Sequence, residues 1–289
     1  MTPLLALALA AAASGAAAAR PAAVMPARPA ETASARSLGG APARPAAVAD
    51  TGAAAPDTAA RGSWRASLAY GFEDFTSSWA SWQAWDARFE RKTASGSIAA
   101  EALASTRFGV WDQGGALDSY HLLWRRAYGN LRIGVAPGAR VTPRFDLTAE
   151  VYQGLPAAWE ASASYRRMSY ATSGVNLWGA SIAKYAGNWY VIGRLTAVPQ
   201  SGRLGGGVSL LVRRYLETAD DYVDLSAGTG NEIVTLAADS VAVDRSQFLA
   251  ARLQRFLTAR VGVSVAATYN TQQGIPTRRG LTVAVMYRW

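Results

Sequence analysis

From Trp64 onward the chain falls into segments of about ten residues in which apolar and polar side chains alternate, separated by clusters of Gly, Asn, Asp and Pro. Alternation of this period places every second side chain on one face of an extended strand. Trp64, Ala66, Leu68, Tyr70 and Phe72 share one face, and Arg65, Ser67, Ala69, Gly71 and Glu73 the other. Trp159, Ala161, Ala163 and Tyr165 oppose Glu160, Ser162, Ser164 and Arg166, and Val261, Val263, Val265, Ala267 and Tyr269 oppose Gly262, Ser264, Ala266 and Thr268. No stretch of about 18 apolar residues occurs, which excludes helical membrane spans.

A one-sided apolar pattern also describes a water-soluble sandwich, but three details favour a sheet whose apolar face meets lipid. Aromatic residues recur at segment ends (Trp64, Trp85, Trp124, Trp159, Trp189, Tyr269), where interfacial girdles belong. The polar face carries small residues and charges of both signs, including Asp86, Arg88, Glu90, Glu150, Glu160 and Arg166, which suits a wet lumen. The last segment puts Leu281, Val283, Val285, Tyr287 and Trp289 on one face, and Val285, Tyr287 and Trp289 form an aromatic carboxyl-terminal signal of the kind that barrel-assembly machinery recognises. The fold class expected is all-β: a transmembrane antiparallel up-and-down β-barrel of about 12–14 strands in a bacterial outer membrane, both termini periplasmic.

All 10 Trp, 12 Tyr and 7 Phe lie at or after Trp64, so the first 63 residues cannot supply a core. Leu4 to Ala13 is an apolar run of signal-peptide length, and residues 1–19 are read as an export signal ending in Ala17-Ala18-Ala19. Residues 20–63, rich in Ala, Pro and isolated Arg, are read as a disordered periplasmic linker, and residues 64–289 as the barrel. With no cysteine there is no disulfide framework, thiolate metal site or lipid-anchoring cysteine. Of the net charge of +9, the five Arg and three acids of residues 1–63 account for +2, and the remaining +7 is scattered through the alternating segments instead of being gathered in a basic helix or finger, so no nucleic-acid partner is expected. Arginines at membrane rims and inside a lumen account for it, with outer-membrane lipid and lipopolysaccharide as the surroundings.

Strands are expected near 64–72, 82–92, 96–108, 117–128, 131–139, 145–153, 159–169, 175–185, 189–197, 203–215, 221–228, 246–256, 259–269 and 280–289. The segments 131–139 and 221–228 are weak, and reading them as loop leaves twelve strands. Short periplasmic turns are expected at Thr93-Ala94-Ser95, Gly129-Asn130 and Leu257-Thr258, and longer external connections at 73–81, 109–116, 229–245 and 270–279.

The stretch from Trp64 to Trp289 resembles the YaiO-type outer-membrane β-barrel family. The likeness rests on Tyr70-Gly71-Phe72, Pro143-Arg144-Phe145, Asn188-Trp189-Tyr190, and Gly202 to Tyr215 with its Arg213-Arg214-Tyr215 end and the following Gly228-Thr229-Gly230 bend. The resemblance implies a barrel whose relatives occur attached to helical repeats or near polysaccharide machinery; this chain carries the low-complexity linker instead.

A lipid-acting barrel enzyme needs a nucleophile activated by a base. The one histidine, His121, lies two residues from Ser119 on the strand expected at 117–128, and both are expected to face the lumen, opposite Tyr120, Leu122 and Trp124. Residues two apart stand about 6–7 Å apart at Cα, too far for direct activation. Glu150 and Glu160, on adjacent strands, are the carboxylate pair nearest to glycosidase chemistry, but nearby arginines account for them as lumenal ion pairs. Asp220, Asp221 and Asp224 lack the ligand spacing of a calcium loop. No catalytic residue, metal ligand or cofactor is assigned. The lumen-lining candidates are Asp86, Arg88, Glu90, Ser119, His121, Glu150, Glu160 and Arg166. Three functions stay open: a pore or conduit for small polar solutes or saccharide-related export, a non-conducting structural or partner-binding barrel, and a lipid- or sugar-acting enzyme.

Overall fold

The computed structural model describes residues 63–289 except 78, 94, 201–202, 238–239 and 274, with no account of the side chains of 200, 203, 231–245 and 275. The export segment 1–19 and nearly all of the linker 20–63 lie outside the described residues, as does Ala94 of the turn expected at Thr93-Ala94-Ser95.

Fourteen antiparallel strands close on themselves: β1 (Trp64–Phe75), β2 (Trp82–Thr93), β3 (Gly96–Arg107), β4 (Val110–Trp124), β5 (Ala127–Val135), β6 (Phe145–Leu155), β7 (Trp159–Ser169), β8 (Gly174–Ala186), β9 (Trp189–Gln200), β10 (Arg203–Tyr215), β11 (Tyr222–Ala237), β12 (Ser240–Phe256), β13 (Val261–Gln272) and β14 (Ile275–Arg288). Each strand pairs with its sequence neighbours and β1 closes on β14, from Arg65 opposite Arg288 to Phe75 opposite Arg278. Closure satisfies the backbone of every strand within the sheet, the condition for crossing hydrocarbon. The outward face carries the exposed apolar side chains, among them Leu68, Leu117, Ile182, Leu195, Leu225 and Val285.

Aromatic residues form a belt at each rim. At the end holding Trp64 and Trp289, Trp64 stacks on Phe89 at 4.8 Å and Trp289 lies 5.8 Å from Phe89. At the far end Tyr70, Trp85 and Trp111 form a row, with Trp85 to Trp111 at 5.3 Å.

Five expectations are corrected. The turn expected at Gly129-Asn130 lies at Arg125-Arg126, and Gly129 and Asn130 belong to β5. Gly-Asn is favourable turn chemistry, but here both residues serve the strand. Gly129 leaves the space taken by Leu123, whose Cδ1 stands 3.1 Å from where a Cβ would be, and Asn130 donates to Asp118. The external connection expected at 109–116 is strand, because β3 and β4 meet at a tight Phe108-Gly109 turn with φ of 53° and 72°. Two positive φ values describe a primed hairpin turn, which ordinarily signals itself with Asn or Gly and not with Phe. The segment 131–139 does not continue as strand past Val135; residues 136–144 form a loop folded against the lumen, with Ala136, Ala139 and Thr142 buried. The connections expected at 229–245 and 270–279 are largely strand, being the ends of β11, β12, β13 and β14.

Candidate functional site

The lumen is the site, and its polar wall is built by alternation on β2 to β7. Arg88 on β2, Glu101 on β3, Asp118 on β4, Arg132 on β5, Asp146 on β6 and Arg166 on β7 project inward in neighbouring register. Arg88 Nη1 donates to Glu101 and, at 2.9 Å, to Asp118 Oδ2. Arg132 donates to Glu101 Oε2 at 2.8 Å and reaches Asp146 at 3.4 Å, and Arg166 grips both Asp146 oxygens at 2.9 and 2.8 Å. Charges of both signs therefore run around six strands, with Arg132 holding Glu101 and Arg166 holding Asp146 through two nitrogens each.

Glu150 accepts from Ser162 Oγ at 2.6 Å and lies 3.5 Å from Arg194. Glu160 accepts from Tyr128 Oη at 3.1 Å. Glu150 pairs in register with Ser164 and Glu160 with Gly154, so the two carboxylates are not cross-strand partners and each has its own hydroxyl donor. Asp86 lines the cavity described below, and Glu90 lies between Arg65 and Ala99 in register. The salt-bridge partners of the expected arginines are Glu101, Asp118 and Asp146, three acids that sequence reasoning did not single out. Their signal was available: Asp118 and Glu101 alternate in phase with buried Ala116 and Ala99.

The expected inward placement of Ser119 and His121 is corrected. Asp118 is buried while Leu117, of the same parity as Ser119 and His121, is 63% exposed, so both residues face outward. The register slips between Leu122 and Trp124, and this bulge moves Trp124 to the same side as His121. Reading the phase of the strand back from Trp124 therefore gave the opposite face. Ser119 Oγ donates to Leu131 O, and the cross-strand neighbours of His121 are Gly96 and Gly129, which offer no acid to orient an imidazole.

The far wall of the lumen is lined by small residues: Ser226, Ala250, Ser264, Ala266, Thr268 and Thr282. Between this wall and the charge ladder lies a cavity of about 230 Å³, reached by Asp86, Asp112, Arg132 and Asp146 on one side and by Thr268 and Thr282 on the other. Toward the far end the loop 136–144 leans over it. Asp112 fixes that loop by accepting from the backbone N–H of Arg140 (3.0 Å), Val141 (2.8 Å) and Thr142 (2.7 Å) and from the Thr142 hydroxyl.

Toward the end holding Trp64 the lumen fills. Tyr128 and Tyr152 stack at 4.4 Å, Tyr185 meets Tyr190 at 4.6 Å, and Arg213, 1% exposed, binds Asp224 through two nitrogens under the ring of Tyr222. The β10–β11 loop reaches across this mouth, where Asp220 bridges Arg65 and Arg288 at 2.7 Å each. Burial would raise the Asp220 carboxyl, but Arg65, Lys92 and Arg288 hold it below its ordinary value. Asp221 accepts from the Phe256 amide and Thr218, and Asp224 from Arg213, so the three acids serve hydrogen bonds and ion pairs.

The profile described as YaiO membrane beta barrel domain matches residues 64–233. No protein of curated function matches the sequence. Among solved structures, an outer membrane channel of Pseudomonas putida F1 is 11% identical, with a TM-score of 0.50, 82% of this chain and 100% of that chain covered. OpdQ of Pseudomonas aeruginosa is 7% identical at a TM-score of 0.49, covering 79% and 98%, and Omp33 of Acinetobacter baumannii 9% identical at 0.48, covering 80% and 99%.

Proposed function

Because the chain belongs to the YaiO membrane β-barrel family, a membrane barrel of outer-membrane type, we propose that its lumen is a narrow, non-enzymatic conduit for small polar solutes. The observation that carries this reading is the cavity between a both-sign charge ladder and a wall of small hydroxyl and methyl side chains. A charged wall facing a small one leaves room for a hydrated solute and sets a transverse field across its path, where a uniformly packed interior would do neither. An even number of strands puts Trp64 and Trp289 at one mouth, the periplasmic one, and the loop 136–144 outside. The tyrosine and Arg213 layer below the cavity limits passage to small species. Saccharide-related export is the coarser variant of the same reading, and outer-membrane lipid, lipopolysaccharide and the barrel-assembly machinery are the partners that go with it.

A second reading, a non-conducting barrel with an external pocket, is favoured by that same layer, in which Arg213 and Tyr190 are no more than 2% exposed. Planar-bilayer recording decides between them. Discrete conductance steps, with a shift toward cation selectivity when Arg88 and Arg166 are both replaced by Ser, support the conduit. Removing those guanidiniums leaves Asp118 and Asp146 with less positive charge beside them. A wild-type barrel with neither conductance steps nor uptake of small sugars in liposome swelling overturns it.

A further inference from the structure

The two aromatic belts differ in what stands on their rings. At the end holding Trp64 and Trp289, three strands begin with an outward tryptophan: Trp64 on β1, Trp159 on β7 and Trp189 on β9. In each case the residue directly across on the next strand is a cation, Arg91 opposite Trp64, Lys184 opposite Trp159 and Arg214 opposite Trp189. Each cation lies over the ring it faces, at 5.2, 4.9 and 5.4 Å from the centroid. A fourth ring, Trp124, ends β4 next to the exposed Arg125, its indole N–H donating to Gln153 Oε1 at 2.9 Å. The outward tryptophans of the far end are paired with rings instead: Trp85 lies 5.4 Å from Tyr70 and 5.3 Å from Trp111, and Trp178 lies 4.7 Å from Tyr165.

The three rim cations have no acid of their own. Asp74 and Glu217 are the only exposed carboxylates among the described residues. Asp74 belongs to the far end, and Glu217 pairs with Arg255 at 3.0 Å. Asp220 turns inward to Arg65 and Arg288. Among the described residues no carboxylate pairs with Arg91, Lys184 or Arg214, and the Lys184 ammonium donates only to the carbonyl of Ala157. A cation left without a carboxylate takes its counter-charge from its surroundings. Tryptophan rings at a barrel rim sit at head-group depth, so the surroundings of these cations are lipid head groups.

We propose that this rim is a binding belt for anionic phospholipid, each tryptophan–cation pair seating one phosphodiester against the cation and the glycerol beside the ring. The lipid is of the phosphatidylglycerol class, because the head group of phosphatidylcholine or phosphatidylethanolamine carries a cation that offsets its own phosphate. The belt names one lipid among the partners given above and rests on the orientation given there only for its leaflet, the inner one; it does not require the barrel to conduct.

The test is electron paramagnetic resonance of the full-length barrel in phosphatidylcholine vesicles carrying spin-labelled phosphatidylglycerol or spin-labelled phosphatidylcholine, where lipid held against the protein gives a motionally restricted component. Both leaflets of such vesicles are alike, so neither orientation nor conduction enters the reading. A basic side chain at the surface favours an anionic head group roughly fivefold, which averages to about a twofold preference over a lipid shell that mostly touches no cation. The parent should show that preference and lose it at high salt, which screens exposed charge. Replacing Arg91, Lys184 and Arg214 together by Gln, which keeps the rings, should bring the two lipids to equal association while heat-modifiable mobility is kept. Replacing Arg144, Arg167 and Arg279 of the opposite rim by Gln removes the same net charge and should leave the preference in place. Equal association of the two lipids with the parent, a preference kept in the folded first variant, or equal losses in the two triple variants overturns the belt. Failure here leaves the conduit as it stands, and a barrel silent in planar bilayers leaves the belt.

Discussion

Asp112 shows how much of the lumen's shape rests on single residues. Its carboxylate is 5% exposed and takes three backbone N–H groups and a hydroxyl from the loop 136–144. Replacing it by Ala removes every one of those acceptors, at roughly 1–3 kcal/mol for each amide left unsatisfied. The loop should then leave the lumen, and trypsin should cut intact proteoliposomes at Arg140 or Arg144, both exposed, in the variant and not in the parent; equal resistance would show that the anchor does not hold the loop. Asp220 makes a comparable tie at the other mouth. Its folded pKa lies below the ordinary value of 3.8, so its ion pairs contribute stability above that value and lose it as pH falls through the folded pKa. The temperature at which the barrel unfolds in detergent should therefore drop between about pH 5 and pH 3, and Asp220→Asn should remove part of that drop while lowering the plateau above it. A profile identical in parent and variant would mean that Arg65 and Arg288 do not sense the carboxylate.

At the scale of elements, β4 and β14 carry opposite lessons. β14 keeps one phase from end to end, so Leu281, Val283, Val285, Tyr287 and Trp289 all stand on the exposed face, as their spacing in the sequence requires. Trp289, just past its end, exchanges backbone hydrogen bonds with Trp64, at 3.1 and 2.9 Å, and closes the barrel. Deleting Tyr287 to Trp289 removes that closure and the contacts of Trp289 with Phe89 and Tyr287, and assembled protein in the outer membrane should fall severalfold. Trp111→Ser, which alters one ring of the opposite rim, is the control; equal assembly of the two variants would show that the last strand holds no assembly signal. β4 changes phase at its bulge, and a single extra residue reverses which side chains see lipid. Gly129 across from the bulge makes the room that Leu123 takes up.

For the whole molecule, a closed sheet has no edge at which unfolding can start, and all its strand hydrogen bonds must be lost together. The protein should fractionate with outer membranes and migrate faster on gels when unheated than when boiled; full recovery in the soluble periplasm would exclude a membrane barrel. Two loops fold inward from opposite mouths, 136–144 onto Asp112 and 216–221 onto Arg65 and Arg288, and the filled half of the lumen lies on the periplasmic side.

Local chemistry by itself determined the barrel, a count of 12–14 segments and the apolar stripe of nearly every strand, because period-two alternation depends only on residues two apart. The inward placement of Arg88, Glu150, Glu160 and Arg166 follows from the same alternation. Partners did not: Arg88 meets Glu101 and Asp118, and Arg166 meets Asp146, through pairings that depend on the register between strands. The outward facing of Ser119 and His121 depended on a bulge that no residue type announces. The Phe108-Gly109 and Arg125-Arg126 turns were hidden because a two-residue hairpin link imposes positive φ on Phe108 and Arg126, residues that do not seek it. The tertiary structure alone decided which charges neutralise one another and which cations stand over rim tryptophans without a carboxylate, since both depend on how paired strands bring distant residues face to face.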